Sequence, residues 1–358
     1  MFKLLLGGRQ ATFVSSKEAL QSFLAVEHGL LTPLTQSYGM LRMCGCDASR
    51  TQKLYAFATQ ELFPLLDKRL AKRTLGDLTP GFADVLFNKL KRFANYHGSL
   101  KRSLTEPLYA ASDAILLGSK FPPDTYDDYT VFIRSFRPFS TRPSWPFPSI
   151  RARNRLLGHI SKYIEDLGTD MKEDSLGTNL FEAFQKHNFT SEEGAPLILV
   201  LKIAAHTNLF NIVFWLFTWL LADPSALAAV RDEIDKTVRE EFGSIHGFLV
   251  NASPENLQPS SFVLLHSAIL EALRLSSLVI GIRDAERDIE LKDGERVIPI
   301  RKGELVVAMS WAAHRDEGLY PDSHRFIADR FVQNRNEDIV QNLSKSFFSF
   351  NGAKHFVS

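Results

Sequence analysis

Glu271 and Arg274 are the first candidates for chemistry in this sequence, because opposite charges three positions apart on a helix readily pair. Most pairs with this spacing are surface ion pairs. Three later signals are equally common when each is taken alone. They are a turn composition at 320–322, the charged stretch ADRF at 328–331, and a Phe-x-Gly turn at 350–352. Any chemical interpretation must therefore come from their order along the chain.

Polar residues also interrupt the most apolar segment, residues 195–222. Its length suits a bilayer, which a helix of about 20 residues can cross. However, four polar side chains lie within it, and each costs several kcal/mol at bilayer depth unless it is paired. A helix through the centre of a large domain would be equally apolar. We therefore favour a long buried central helix over a membrane span; the four polar residues are Lys202, His206, Asn208 and Asn211.

The order and spacing of these signals are more informative than any one of them. The apolar segment containing AAHTN at 204–208 comes first, and ALRL on the Glu-x-x-Arg helix follows. IRDAERD, HRDEGLYPDSHRFIADRF and FNGAKH then occur in that order. This succession resembles the cytochrome P450 superfamily of haem-thiolate monooxygenases, from about Ala195 to His355. Before Ala195 the resemblance depends only on the order of a hairpin and helices.

The resemblance implies a structural triad and a haem contact. Glu271 and Arg274 match the Glu-x-x-Arg pair of the family, and Arg330 would complete a buried charge triad. Such a triad tolerates burial only because each member is paired. Arg283 stands where the family places an arginine on a haem propionate, which would be a charge-assisted contact.

The family's cysteine ligand has no counterpart in this sequence. Phe350, Gly352 and His355 match the run that precedes the cysteine whose thiolate binds the haem iron, and the match puts that cysteine at Val357. Cys44 and Cys46 lie hundreds of residues earlier, in a segment unrelated to this run. We therefore expect no metal ligand in this chain and no proper binding of haem.

The resemblance implies that the central helix lies over one face of a haem. Ala204 and Ala205 would line the space over the ring, because small side chains leave room for it. Thr207 falls at the acid and Asn208 at the alcohol of the family's proton-relay pair, and an asparagine can hold a water but cannot ionise. With the hairpin sequence at 293–306, this resembles the branch containing cholesterol 7α-hydroxylase and prostacyclin synthase. That branch contains an oxygenase and an isomerase.

We expect a full-length parent that oxidises a sterol or another lipid. The resemblance implies a location at the endoplasmic reticulum membrane, an anchor upstream of Met1, and electrons from NADPH-cytochrome P450 reductase. The chain itself is expected to be a fragment truncated at both ends and inactive as a monooxygenase. Three alternatives stay open: a haem-thiolate isomerase of oxygenated lipids, a membrane protein spanning at 195–222, and a non-catalytic remnant of the fold.

Composition excludes several classes of protein. Hydrophobic residues make up 45% of the 358-residue chain, which suffices for a core. The net charge of +1 argues against a nucleic-acid binder. The chain has 28 Phe against 8 Tyr and 4 Trp, which favours apolar cavities or an apolar ligand. Cys44 and Cys46 are too few and too close for a disulfide framework, which indicates reduced thiols.

The elements predict a mostly α fold with a small β part, in one domain over 1–358. Phe2–Leu6, two glycines and Gln10–Val14 form a hairpin, and Ser15-Ser16 caps a helix. Helices follow over 50–100 and 151–167, with a loop from Pro138 to Ile150 between them. Another helix covers Phe262–Leu275, and short strands occupy 279–308 around a turn at Asp293-Gly294.

Overall fold

Helices predominate in the computed structural model, and the strands are few and short. The structure describes residues 2–6, 8–26, 31–32, 34–69, 72–93, 95–134, 147–168, 175–251, 253, 257, 260–278, 281–332 and 347–348. The predicted α+β class is confirmed. The chain divides into two compact units. The first comprises Met1–Gln36, Trp215–Thr237 and Pro259–Ser358, and the second comprises Ser37–Phe214 and Val238–Gln258. The single domain over 1–358 stays a prediction.

The first unit contains a mixed five-stranded sheet with the order β1-β2-β7-β4-β3. The predicted N-terminal hairpin is present, because β1 pairs antiparallel with β2 and Phe2 lies opposite Phe13. Strand β2 then runs parallel to β7, with Ala11 opposite Leu305. The strands are β1 Phe2–Leu6, β2 Arg9–Val14, β3 Leu31–Thr32, β4 Gly281–Ala285 and β7 Leu305–Ala308.

A separate hairpin joins β5, Ile289–Asp293, to β6, Arg296–Ile300. Asp293 still pairs with Arg296, so the turn consists of residues 294 and 295, one position later than the predicted Asp293-Gly294. Gly294 has a φ of 63°, a left-handed conformation that glycine adopts without steric cost. The hairpin contributes Leu291, Ile298 and Ile300 to the core of this unit.

Helices of the first unit begin with α1, Lys17–Ala25, where the Ser16 side chain accepts a hydrogen bond from the Ala19 N–H as predicted. Helix α13, Val263–Ser276, packs Ala268 and Ala272 against Val230, and the short α14 covers Ser310–Ala313. Helix α11, Pro224–Phe242, is shared by the two units. Its start is capped by Asp223, which accepts from the Ser225 and Ala226 N–H groups.

The second unit is helical in its described part, and its apolar core draws on most of its helices. A π-helical turn at Ala58–Leu62 joins α3 to α4. The helices are α2 Leu34–Met43, α3 Ala48–Phe57, α4 Phe63–Arg69, α5 Lys72–Lys91, α6 Leu100–Leu116, α7 Tyr126–Arg134, α8 Phe147–Leu167, α9 Leu176–Lys186, the first part of α10 (Ser191–Ala222) and α12 Ile245–Asn251.

Helix α8 corrects the predicted loop from Pro138 to Ile150. The helix begins at Phe147, four residues before the predicted start at Arg151. Pro148 therefore lies in the first turn, where a helix tolerates proline because the first N–H groups have no intrahelical partner. A proline-rich composition does not distinguish a loop from a helix start. Residues 138–146 of the predicted loop lie outside the described residues.

The long central helix, α10, is present, but its burial is uneven. Residues 194–203 are buried except for the half-buried Val200. Beyond them Ala204, Asn208, Asn211 and Trp215 are exposed, and these positions share one helix face. The prediction of a buried helix therefore applies fully to its first part only, because apolar composition does not separate a buried face from an exposed apolar one.

Helix α10 is also the one helix in the described part of the chain that is long and apolar enough to cross a bilayer. Length and composition alone support that, and the core helices of globular proteins meet the same criteria.

Candidate functional site

Glu271, Arg274 and Arg330 meet inside the first unit. The Arg274 guanidinium donates to both carboxylate oxygens of Glu271, at 2.7 Å and 2.9 Å. The Arg330 Nε donates to Oε1 of the same carboxylate at 3.0 Å, although 59 residues separate the two in sequence. Glu271 and Arg274 are fully buried and Arg330 is 2% exposed. The structure thus brings the three sequence-predicted residues together in a buried triad.

The two arginines also hold the segment that follows α14. Arg274 donates to the carbonyl oxygens of His314 and Ser323, and Arg330 donates to those of Pro321 and Asp322. Carbonyl oxygens only accept, so they satisfy guanidinium donors that one carboxylate cannot. The triad therefore fixes the path of residues 314–330 as well as compensating its own charges.

His314 connects this segment to residues near the end of the chain. Its Nδ1 lies 3.1 Å from the Arg274 carbonyl oxygen, which requires Nδ1–H to donate. The Phe348 N–H donates to its Nε2 at 2.9 Å. Burial, and to a smaller extent Arg274, lowers the pKa of His314 from 6.5 to about 3. The ring is therefore neutral, with both nitrogens occupied.

Replacing His314 with Gln should flatten the acid limb of the stability profile. Between pH 6.5 and about 3 the unfolded chain binds a proton that folded His314 excludes. The contribution of His314 to the free energy of unfolding is therefore fully present above pH 6.5. Between pH 6.5 and about 3 it falls by about 1.4 kcal/mol for each pH unit of acidification. Urea unfolding at several pH values checks this, with the exposed His324→Gln as the control. Equal acid slopes for the two variants would contradict the assignment.

Arg283 lies on β4 and is half-buried. Burial lowers the pKa of its guanidinium. It has no hydrogen bond or ion pair with any described residue, and its nearest aromatic contact is the Phe23 ring, 5.9 Å away. By contrast its neighbour Asp284 pairs with Arg9 at 2.7 Å. Arg283 is therefore a partly desolvated cation whose charge the described residues do not match.

The predicted residues of α10 project from two faces of the helix. The Thr207 hydroxyl lies 3.2 Å from the hydroxyl of Tyr129 on α7. Ala204 and Asn208 are exposed one turn apart, and Ala205 is half-buried beside them. Thr207 and Asn208 are adjacent in sequence, so their side chains point about 100° apart around the helix. Thr207 is thus engaged with a neighbouring helix, and Asn208 faces outward beside Ala204.

An ion pair that sequence reasoning missed lies directly before these residues. The Lys202 ammonium is 2.5 Å from both carboxylate oxygens of Asp113 on α6, and the two residues are 1% and 5% exposed. The rings of Tyr109 and Phe121 lie 4.2 Å and 4.1 Å from the same nitrogen. Burial lowers the pKa of Lys202 to about 8. Burial would raise the pKa of Asp113, but Lys202 and His206 lower it overall.

His206 is the third member of this cluster. Its Nδ1 lies 2.6 Å from the Lys202 carbonyl oxygen, so Nδ1 carries a proton. Its Nε2 is 3.3 Å from an Asp113 oxygen but is not aligned for a hydrogen bond. The distance is short but the geometry is poor, so this is a close approach and not a hydrogen bond. The signal for this cluster in the sequence was the i, i+4 spacing of Lys202 and His206, which puts two polar residues on one face of an apolar helix.

The two cysteines do not provide a ready thiolate. Cys44 and Cys46 are free and buried in the turn after α2. Burial is the main cause that raises the pKa of both thiols, whereas a thiolate ligand needs a lowered pKa. The described residues contain no group of three His, Cys, Asp or Glu side chains that could hold a metal ion. Phe350, Gly352, His355 and Val357 lie outside the described residues.

A buried Glu-x-x-Arg triad, a small mixed sheet and a long central helix together characterise the class of haem-thiolate proteins that the sequence resembles. Residues 135–351, more than half of the chain, match the family model for cytochrome P450. The chain belongs to the cytochrome P450 family, which confirms the predicted resemblance.

The relatives of this chain include sterol hydroxylases. It is 33% identical to 25-hydroxycholesterol 7-alpha-hydroxylase of Rattus norvegicus over 130 residues, which are 36% of this chain and 31% of the rat protein. It is 27% identical to cholesterol 7-alpha-monooxygenase of Cricetulus griseus over 166 residues, 46% of this chain and 32% of that protein. The matched stretch spans about a third of the length of these relatives.

The fold also matches a solved structure, the retinoic acid bound cyanobacterial CYP120A1. The TM-score is 0.72 at 20% identity, covering 99% of this chain and 80% of that one. This likeness confirms the predicted cytochrome P450 fold.

Taken one by one, some described residues offer groups that suit haem, but none offers a ligand for its iron. Arg283 offers an unmatched cation of the kind that a propionate carboxylate would pair with. Ala204 and Ala205 offer small side chains on a partly exposed helix face. No described side chain offers a thiolate, because Cys44 and Cys46 are buried with raised pKa values.

Proposed function

We propose that this chain is part of a haem-thiolate monooxygenase that acts on a sterol or another apolar lipid. The buried triad of Glu271, Arg274 and Arg330 is the observation that carries the proposal. It holds residues 314–330, and His314 in turn holds Phe348, two residues before the predicted haem-ligand run begins at Phe350. The sterol hydroxylases among the relatives and the Phe-rich composition favour a sterol substrate.

Each predicted residue then has a defined task. Haem, when bound, supplies the binding and activation of oxygen. Arg283 would hold a propionate by a charge-assisted hydrogen bond. Ala204 and Ala205 would leave room above the ring. The Asn208 amide would orient a water molecule through its donor and acceptor groups, but it cannot release a proton by ionisation. Thr207 would share its hydroxyl with Tyr129 rather than with that water.

We infer that this 358-residue chain is inactive in monooxygenation. Its only cysteines are Cys44 and Cys46, and Val357 stands where the ligand is expected. Without a thiolate on the iron, oxygen is not activated in the manner of this family. For a complete parent protein the same proposal implies electrons from NADPH-cytochrome P450 reductase and a place at the cytoplasmic face of the endoplasmic reticulum membrane.

Haem titration of Val357→Cys with and without Arg283→Ala tests the proposed cofactor contact, because the chain with Val357 is not expected to bind haem properly. A charge-assisted hydrogen bond is worth about 1.5–3 kcal/mol, so the affinity for haem should fall about tenfold or more. Quenching of tryptophan fluorescence by added haem measures it. Arg287→Ala is the matched control, because Arg287 is exposed four residues further along the chain. Equal affinities for the two variants would remove Arg283 from the proposed site.

A second candidate function is a haem-thiolate isomerase of oxygenated lipids. Asn208 favours it, because a rearrangement that consumes neither electrons nor oxygen has no need of an ionisable proton relay at Thr207 and Asn208. A complete parent protein distinguishes the two. Conversion of a sterol that requires reductase and NADPH supports the oxygenase. Rearrangement of a fatty-acid endoperoxide without any reductant supports the isomerase.

A membrane span at 195–222 is the weaker alternative. Lys202 lies within that segment and forms a buried ion pair with Asp113 on another helix of the second unit. In a bilayer that partner would have to lie at the same depth, and two charges would have to leave water.

A further inference from the structure

A cleft of about 290 Å³ opens within the second unit between α6, α7 and α10. Its lining includes two pairs of hydroxyl groups. Thr105 and Tyr126 lie 2.6 Å apart, and Tyr129 and Thr207 lie 3.2 Å apart. Because each hydroxyl already has a partner, the two pairs form a polar part of the lining that needs no rearrangement to receive a ligand.

The mouth of the cleft is cationic. Lys101, Arg102 and Arg134 line it, and no acidic residue is among the described lining residues. Arg102 is already compensated by Glu106 at 2.7 Å and Asp127 at 3.0 Å. Lys101 and Arg134 are exposed and form no ion pair with any residue that the structure describes. Two positive charges therefore face the cleft without a partner.

The start of α6 adds to this positive charge. The helix begins at Leu100, and the side chain of its N-cap, Ser99, makes no capping hydrogen bond. The first N–H groups of a helix have no intrahelical acceptor, and they carry the positive end of the helix dipole. Ser99 and Lys101 both line the cleft, so the dipole and the two cations favour the same kind of ligand group, an anion.

Of the four remaining lining residues, Thr130 and Asn211 are polar and two are apolar, and the apolar pair would contribute nothing to binding a small inorganic anion. Ile133 and Phe210 line the cleft, and the exposed Asn211 amide lies beside them without a partner among the described residues. The volume is at the low end for small-molecule sites. It suits a charged head group and the first part of an apolar chain.

We propose that this cleft binds an anionic amphiphile. The carboxylate or sulfate of the ligand lies between Lys101 and Arg134, and its apolar part lies against Ile133 and Phe210. The cleft shares Thr207 with the proposed relay pair, but the two contacts proposed here involve Lys101, Arg134, Ile133 and Phe210 and need no haem.

Isothermal titration of the full chain with dodecanoate, 1-dodecanol and inorganic sulfate tests the proposal. Dodecanoate and dodecanol share a chain and differ in charge, whereas sulfate has charge and no chain. Dodecanoate should bind at least about tenfold more tightly than either. The variant K101A/R134A should lose about tenfold in affinity for dodecanoate. R151A/K162A removes two exposed cations of the same unit and should change it by less than about twofold.

Three results would overturn the proposal. Dodecanol binding as tightly as dodecanoate would leave no role for the cations. Sulfate binding as tightly as dodecanoate would reduce the cleft to a simple anion site. Equal losses in the two double variants would indicate attraction to net charge rather than to this cleft. Far-UV circular dichroism confirms that each variant is folded. Because the titrations are run without haem, a failure of haem reconstitution would leave their outcome unaffected.

Discussion

Glu271→Gln should lower the free energy of unfolding by about 3–5 kcal/mol, because it leaves two buried guanidinium groups without their carboxylate. Glutamine keeps the size of the side chain, so the loss measures charge rather than volume. Urea unfolding followed by tryptophan fluorescence reports on the right part of the chain, since Trp215, Trp219 and Trp311 belong to the same unit as Glu271.

Glu290→Gln is the matched control for this experiment. Glu290 is exposed on β5, and its replacement should change stability by less than about 0.5 kcal/mol. A loss for Glu271→Gln no larger than that of the control would mean that the triad is not a buried ionic cluster in solution.

Lys202→Met should be destabilising by a similar amount, about 3–5 kcal/mol, because the Asp113 carboxylate would stay buried without its cation. The double variant Asp113→Asn with Lys202→Met removes both charges and should recover much of the loss, since a neutral pair of similar volume is tolerated. Thermal unfolding followed by circular dichroism measures the stability of the unmodified chain, the single variant and the double variant. Lys162→Met on the exposed face of α8 serves as control.

Two outcomes would count against this account of Lys202. Lys202→Met could match Lys162→Met in stability, which would mean that water reaches the pair. Alternatively the double variant could be no more stable than the single one, which would mean that the side chain matters for packing and not for charge.

Local signals predicted the elements that depend on neighbouring residues. The Ser16 cap, the glycine turn after β5 and the Glu271–Arg274 pair each involve contacts within four residues, so spacing alone predicts them. The approach of Arg330 to Glu271 spans 59 residues. Spacing could not predict that contact, and the resemblance to a family supplied it.

The sequence did not predict features that depend on distant partners. Asp113 and Lys202 are 89 residues apart, so the four polar residues of the apolar segment were visible but the partner of one of them was not. The exposed face of α10 was missed for a related reason. Asn208 and Asn211 on that face are polar but Ala204 and Trp215 are not, so the two faces differ little in polarity, and periodicity reports burial only when they differ clearly.

The ferrous carbon monoxide spectrum of the chain mixed with haem tests the central claim most directly. With a thiolate as iron ligand, the carbon monoxide complex of haem would show an absorption band at a wavelength that imidazole or water ligands do not give. We expect the 358-residue chain to lack this band and Val357→Cys to acquire it, because the substitution places a thiol at the predicted ligand position. The band in the unmodified chain would show that Cys44 or Cys46 binds the iron, and its absence from Val357→Cys would contradict the assignment of Val357.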